Sequence, residues 1–125
     1  MIRKKRKQNP ETPIVRLAFS MLQRDYGGLH WKVNSGSRNN AKFVGVEGHP
    51  DIAGYDCTGR AIFAEVKTHD GELTEKQWFF LRKAQDTHAI ALVVIGSEDG
   101  KTAAVYLPST LPGRYIPKKY RQRAA

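Results

Sequence analysis

An uninterrupted apolar segment over residues 89–95, with the sequence Ala-Ile-Ala-Leu-Val-Val-Ile, limits the possible folds of this chain more than any other feature. Its length is that of a strand, and a strand without polar positions has no side that can face water. We therefore expect a central strand that is covered on both faces. A chain of 125 residues can achieve this as a single domain, with helices packed against a mixed sheet.

The remaining elements follow from shorter patterns. A helix is predicted to begin near Pro10 or Pro13 and to end at the glycine pair 27–28, because its apolar residues recur at helical spacing. Residues 29–34 alternate between apolar and polar, which predicts a half-buried strand with Trp31 in the core. Further along the chain, strands are predicted over residues 51–56, 61–67, 89–95 and 102–107, with a second helix from Thr74. This order, α-β-β-β-α-β with one further strand, defines an α/β fold.

Two carboxylates and a lysine are expected to meet in the predicted hairpin. Side chains at positions i and i+2 of a strand share a face, so Glu65 and Lys67 project to one side of the sheet and Val66 to the other. The short turn over residues 57–60 brings Asp51 back toward Glu65. Mg²⁺ takes one or two protein carboxylates and completes its octahedron with water and phosphate. Acids and lysines also commonly face water on a sheet, and these residues alone leave both interpretations open.

The surrounding residues form a larger pattern. Its segments are Gly48-His49-Pro50-Asp51-Ile52, Gly59, Phe63-Ala64-Glu65-Val66-Lys67 and Leu73-Thr74-Glu75-Lys76-Gln77. With these segments, the chain from about Glu11 to Ile95 resembles the VRR-NUC nucleases of the minimal stand-alone type, a branch of the PD-(D/E)xK superfamily. The resemblance implies a restriction-endonuclease-like core with α-β-β-β-α-β order, in which helices flank a mixed sheet.

The resemblance also implies a role for individual residues. The implied catalytic residues are Asp51, Glu65, Lys67 and Gln77. The implied metal ligands are Asp51, Glu65 and the backbone carbonyl of Val66, with Glu11 on the first helix as a further candidate. The implied cofactor is Mg²⁺, and Mn²⁺ is expected to substitute because it also accepts oxygen ligands. A structural role is equally open to Gln77, because Thr74-Glu-Lys-Gln77 is typical of a helix capping box.

The net charge of +9 is concentrated at the two ends of the chain. Residues 1–8 and 108–125 each carry five Lys or Arg and no acid, whereas residues 9–107 hold eleven Lys and Arg against twelve Asp and Glu. This division predicts a nuclease domain over 9–107 between a basic N-terminal arm and a basic C-terminal tail. Flexible basic arms raise affinity for phosphates, although solubility tails or a ribosome-associated protein would have the same composition. The predicted DNA contacts are Arg3, Lys4, Lys5, Arg6, Lys7, Arg38, Lys42, Arg114, Lys118, Lys119 and Arg121.

Aromatic residues near these charges have two possible uses. One of the adjacent Phe79 and Phe80 must point away from the core, whereas Trp78 is expected inside it. Tyr115 and Tyr120 alternate with basic residues and are predicted to contact nucleic acid.

Together these observations predict a Mg²⁺-dependent, structure-specific DNA endonuclease with a role in DNA repair or recombination. The resemblance to minimal stand-alone nucleases implies a homodimer that cuts branched DNA such as four-way (Holliday) junctions. The alternatives are a nicking or restriction-like endonuclease on linear DNA and a non-catalytic nucleic-acid-binding protein on the same fold. The single cysteine, and the lack of an apolar segment after the basic N-terminus, predict the cytoplasm of a bacterial or phage-infected cell and no membrane association.

Overall fold

The structure is a computed structural model that describes residues 9–33 and 46–121. In these residues the chain forms an α/β fold of two α-helices and a five-stranded mixed sheet. The elements are α1 (Thr12–Tyr26), β1 (Leu29–Lys32), β2 (Ile52–Tyr55), β3 (Ala61–Lys67), α2 (Glu75–Asp86), β4 (Ile90–Gly96) and β5 (Ala103–Tyr106), followed by 3₁₀ helices over Pro108–Thr110, Gly113–Tyr115 and Lys118–Tyr120. The predicted order of helices and strands is confirmed.

The strands lie side by side in chain order, from β1 to β5. Only the β3 and β4 pair is parallel, and the other neighbouring pairs are antiparallel. A parallel pair needs a long crossover, and α2 provides it across one face of the sheet. Every residue of β4 after Ile90 is buried, which confirms the doubly covered strand predicted from the apolar segment.

Each face of the sheet has its own hydrophobic cluster, because side chains alternate along β3 and β4. The cluster under α1 contains Ile14, Ala18, Leu22, Ile52, Ile62, Ala64, Val66, Leu92 and Val94. The cluster under α2 contains Leu73, Leu81, Ala84, Ala91, Val93, Ile95, Leu111 and Tyr115. Val66 therefore anchors β3 on the α1 side, and its neighbours Glu65 and Lys67 project to the α2 side.

The expectation that Trp31 packs in the core is wrong. Trp31 is 47% exposed, and its ring lies edge-on to the ring of Tyr55 at a centroid distance of 6.3 Å. Both residues lie on the α2 side of the sheet, but α2 packs against β3 and β4 and does not cover β1. The strand itself was predicted correctly, but the predicted half-burial was not found, since Leu29, Trp31 and Lys32 are all exposed. Trp78 and Phe80 pack against the second cluster while Phe79 faces outward, as predicted.

The segment from Pro108 to Arg121 was expected to be a flexible arm, and this expectation is wrong. Leu111 and Tyr115 are buried in the second cluster, and the backbone oxygen of Tyr115 accepts a 2.9 Å hydrogen bond from Leu73. The Tyr115 hydroxyl donates to the carbonyl of His69 at 3.0 Å, so this tyrosine is a structural residue. Three prolines begin the 3₁₀ turns or directly precede them, where a fixed φ favours tight turns.

Among the residues that the structure describes, no helix is long and apolar enough to cross a membrane.

Candidate active site

Asp51 and Glu65 lie side by side where β2 begins. The β2 and β3 register pairs Ile52 with Ala64, and one further step of the same register places Asp51 opposite Glu65. The backbone N–H of Val66 donates to Asp51 Oδ2 at 2.9 Å, which fixes the Asp51 carboxylate at the edge of β3. The hairpin thus brings together Asp51 and Glu65, the two acids that the sequence predicted to meet.

The carboxylate of Glu65 is buried and only partly hydrogen-bonded. The residue is 2% exposed, and Oε1 accepts a 3.2 Å hydrogen bond from Gln77 Nε2. Lys67 Nζ lies 3.8 Å from the same oxygen, which is an ion pair but too long for a hydrogen bond. The other oxygen, Oε2, is buried and accepts no hydrogen bond from a donor group of residues 9–33 and 46–121, although the Glu65 carboxyl lies close enough to Asp51 to share a proton with it.

Burial and the charge of Asp51 both raise the pKa of the Glu65 carboxyl. Loss of solvation, followed by the negative charge of Asp51, raises the pKa of Glu65 to about 9, and the charge of Lys67 only partly opposes this. Two acids that share a dry site cannot both ionise without a compensating cation. The protein alone does not supply enough positive charge here, because Lys67 is the one cation that contacts the pair directly in the part of the chain described.

Glu11 belongs to the same group of charges. It occupies the N-cap position of α1, and its side chain makes no capping hydrogen bond. Burial, and then the charge of Asp51, raise the pKa of Glu11, while Lys67 and Lys32 act in the opposite direction. The sequence had suggested Glu11 only by resemblance and had not suggested Lys32, whose position on β1 gives no local sign of a role.

Gln77 holds Glu65 and caps α2 at the same time. Its Oε1 accepts the backbone N–H of Thr74 at 2.9 Å, and the Thr74 hydroxyl accepts the backbone N–H of Gln77 at 3.1 Å. Its Nε2 remains free to donate to Glu65. The structural and catalytic roles considered for Gln77 are therefore compatible, because the amide has separate acceptor and donor ends.

Gly48 positions the segment that leads into Asp51. Its φ is +76°, and a Cβ at this position would overlap the backbone carbonyl of Lys76 in the first turn of α2. The following residue, His49, packs its ring against Phe63 and Phe80 at centroid distances of 5.8 and 5.0 Å. The approach to Asp51 is thereby fixed against both β3 and α2. The sequence contained this glycine, but not the close backbone contact that requires it.

The donor set fits a hard divalent cation. Within the described ranges, no three His, Cys, Asp or Glu side chains are grouped so that they could hold a metal ion together. Mg²⁺ does not need three, since one or two carboxylates with water and phosphate are its usual environment. The Val66 carbonyl also faces this edge, because the N–H and C=O of one extended residue point the same way and the N–H is bound to Asp51. The unpaired Glu65 oxygen provides a further ligand position.

Four of the predicted DNA-contacting residues lie in the described C-terminal segment, and they differ in what their side chains contact. Lys118 and Lys119 are exposed. Arg114 donates to the carbonyl of His69 at 2.8 Å, and Arg121 pairs with Glu72 at 3.5 Å, so both help to hold the C-terminal segment in place. The remaining predicted contacts, Arg3, Lys4, Lys5, Arg6, Lys7, Arg38 and Lys42, lie outside the described residues.

In comparisons with known proteins, no protein-family model and no curated protein matches this chain. The chemistry of the site is therefore inferred from its side chains and their surroundings.

Proposed function

We propose that this chain is a divalent-metal-dependent DNA endonuclease with a PD-(D/E)xK core of the VRR-NUC type. The observation that carries the proposal is the buried Glu65 carboxyl, which lies against Asp51 and has one oxygen that no donor group of the described residues reaches. A purely structural acid in a core usually has its hydrogen bonds satisfied, because a buried polar atom that no donor reaches is costly even when the carboxyl is protonated. Here the unfavourable burial falls on one carboxyl oxygen of Glu65, which lies beside Lys67. A strongly perturbed acid next to a charged partner is typical of a ligand-binding or catalytic site.

Each residue of the site has a separate task in phosphodiester hydrolysis. A divalent cation held by Asp51 and Glu65 would supply an activated water and neutralise phosphate oxygens. Lys67 places a positive charge beside the same carboxylates, where the transition state gathers negative charge. Gln77 holds the Glu65 carboxylate in one orientation through its Nε2. Mg²⁺ is the expected cation, and Mn²⁺ is expected to replace it.

The proposed substrate is branched DNA, cut by a homodimer. The basic excess of the chain supports a nucleic-acid partner. Two-fold symmetry would place two identical sites so that they could cut paired strands at a branch point. Both parts of this proposal rest on the family resemblance and on charge.

Cleavage assays on matched DNA substrates test the proposed function. We expect the purified protein to cut a four-way junction with Mg²⁺ or Mn²⁺ but not with EDTA. We also expect it to bind the junction more tightly than linear duplex of the same sequence, and to cut its arms in symmetric pairs. Removal of residues 1–8 should weaken binding to both DNAs together, because contacts to phosphates carry no shape information. It should also flatten the logarithmic salt dependence by about 0.9 for each phosphate that the shortened protein no longer binds.

Other outcomes of this assay point to the alternatives. Equal binding and cutting of junction and linear DNA, or a monomer in sedimentation, would leave a general nicking or restriction-like nuclease. Binding without any metal-dependent cleavage would leave a non-catalytic DNA-binding protein.

Replacement of Gln77 by alanine is expected to lower both stability and turnover. Loss of the capping bond should cost about 1 kcal/mol of unfolding free energy. Loss of the hydrogen bond to the Glu65 carboxylate should slow cleavage by about tenfold. Thr74→Ala is the matched control, since it removes a capping bond of α2 but leaves the Gln77 contact with Glu65. If both variants show the same melting temperature and the same turnover, then Gln77 acts only as a cap.

A further inference from the structure

A groove of about 680 Å³ lies along α2, beside Phe63 of β3. Its apolar lining consists of Val46, Phe63, Phe79, Phe80, Ala84 and Tyr120. Phe79 is 68% exposed and Tyr120 is 44% exposed, so two aromatic rings are presented to solvent within a single concave surface. Contiguous exposed apolar surface of this kind usually marks a binding site.

The groove lies next to the candidate active site. Phe63 lies on its floor and precedes Glu65 by two residues on the same face of β3, so the two side chains are neighbours along the strand. Lys76 lies on its rim and directly precedes Gln77, which donates to Glu65. A nucleic-acid strand that reached Glu65 could therefore extend over Phe63 into the groove.

The charges around the groove favour a phosphate-bearing partner. Two lysines and two glutamates line it (Lys76, Lys83, Glu47 and Glu75), and Lys76 pairs with Glu47. The excess of positive charge comes from the exposed Lys118 and Lys119, which precede Tyr120. Lys119 Nζ lies 5.8 Å from the centre of the Tyr120 ring. A second copy of this chain, with a net charge of +9, offers less negative charge to Lys118 and Lys119 than a nucleic acid does. Phosphates would be attracted to the same lysines.

We propose that this groove binds unpaired nucleotides, with bases stacked on Phe79 and Tyr120 and phosphates beside the rim lysines. Aromatic rings within a basic groove are the usual means of binding single strands, because every base offers a flat face. In a continuous duplex these faces are already stacked on one another, so the groove selects DNA with unpaired bases. The selectivity deepens the proposed nuclease function, but the binding itself does not require cleavage.

Binding to a short fluorescent oligo(dT) in EDTA tests the groove directly. The comparison ligand is an oligonucleotide of the same length with abasic sites, which keeps the phosphates and removes the bases. Phe79→Ser and Tyr120→Ser are each expected to weaken oligo(dT) binding by about tenfold and to leave abasic binding unchanged. Tyr55→Ser is the matched control, because Tyr55 is 42% exposed on β2 and lies outside the groove. Its oligo(dT) affinity should equal that of the unmodified protein.

Several results would overturn the stacking site. They are unchanged oligo(dT) affinity in the Phe79 and Tyr120 variants, an equal loss on the abasic ligand, and an equal loss in Tyr55→Ser. Conversion of a dimer to a monomer by Phe79→Ser in sedimentation would instead assign the groove to a second copy of the chain. The nuclease proposal is tested separately from the groove. Glu65→Gln should lose cleavage but bind oligo(dT) like the unmodified protein.

Discussion

Replacement of Glu65 by glutamine is expected to lower metal-dependent cleavage by on the order of a thousandfold or more, while DNA binding persists. Glutamine has the shape of glutamate, and its amide oxygen can still accept the hydrogen bond from Gln77. The change therefore removes the charge needed to hold a divalent cation without opening a cavity. Asp51→Asn and Lys67→Met should have effects of similar size, since each removes one charge from the same cluster.

The matched control for this prediction is Glu98→Gln, which makes the same chemical change in an exposed turn. It should cut at the rate of the unmodified protein. Turnover should be measured with saturating Mg²⁺, and DNA binding should be measured separately in EDTA. Full activity of folded Glu65→Gln would remove Glu65 from the active site and would contradict the assignment of a metal-dependent nuclease to this chain.

Without a divalent cation, the protein is expected to lose stability as the pH rises, because the folded state raises the pKa of Glu65 from 4.5 to about 9. The folded protein holds this proton more tightly than the unfolded chain does. Its contribution to stability is therefore complete below pH 4.5 and is lost as the pH rises through about 9. The loss attributable to this buried group should be on the order of a few kcal/mol.

Comparison with Glu65→Gln isolates this effect from the other titrating groups. In EDTA near pH 8, the glutamine variant should melt at a higher temperature than the unmodified protein, because the unmodified Glu65 is ionised in the unfolded chain and must take up a proton to fold, whereas glutamine does not. Addition of Mg²⁺ should stabilise the unmodified protein and leave the variant almost unchanged. The measurement is a series of thermal melts between pH 4 and pH 9 with and without Mg²⁺. Parallel pH profiles for the two proteins would contradict the buried, unpaired state of Glu65.

Local patterns in the sequence were sufficient for most of the secondary structure. The apolar segment over residues 89–95 predicted a strand buried on both faces, because no other arrangement hides seven consecutive apolar side chains in a strand. The spacing of Glu65 and Lys67 predicted their common face, since alternation is a property of the extended backbone itself. The capping box at Thr74 was equally local, because its bonds join residues three positions apart.

Tertiary packing decided which faces are covered and which side chains meet. Alternation in β1 predicted a half-buried strand, but Trp31 is exposed because α2 lies over β3 and β4 instead. The basic composition after residue 107 predicted a flexible arm, yet its few apolar residues, Leu111 and Tyr115, are enough to bind it to the core. Composition averages over a segment, whereas packing depends on single side chains.

The sequence by itself determined the α/β order, the buried strand and the shared face of Glu65 and Lys67, all of which depend on the regular geometry of neighbouring residues. Only the tertiary structure decided that Gln77 donates a hydrogen bond to Glu65 while it caps α2. It also decided that the backbone of Gly48 packs closely against Lys76, and that Glu11 lies near enough to Asp51 to feel its charge. These contacts join residues that are far apart in the chain. Their distances depend on how α1 and α2 pack on the sheet, and no local pattern contains that information.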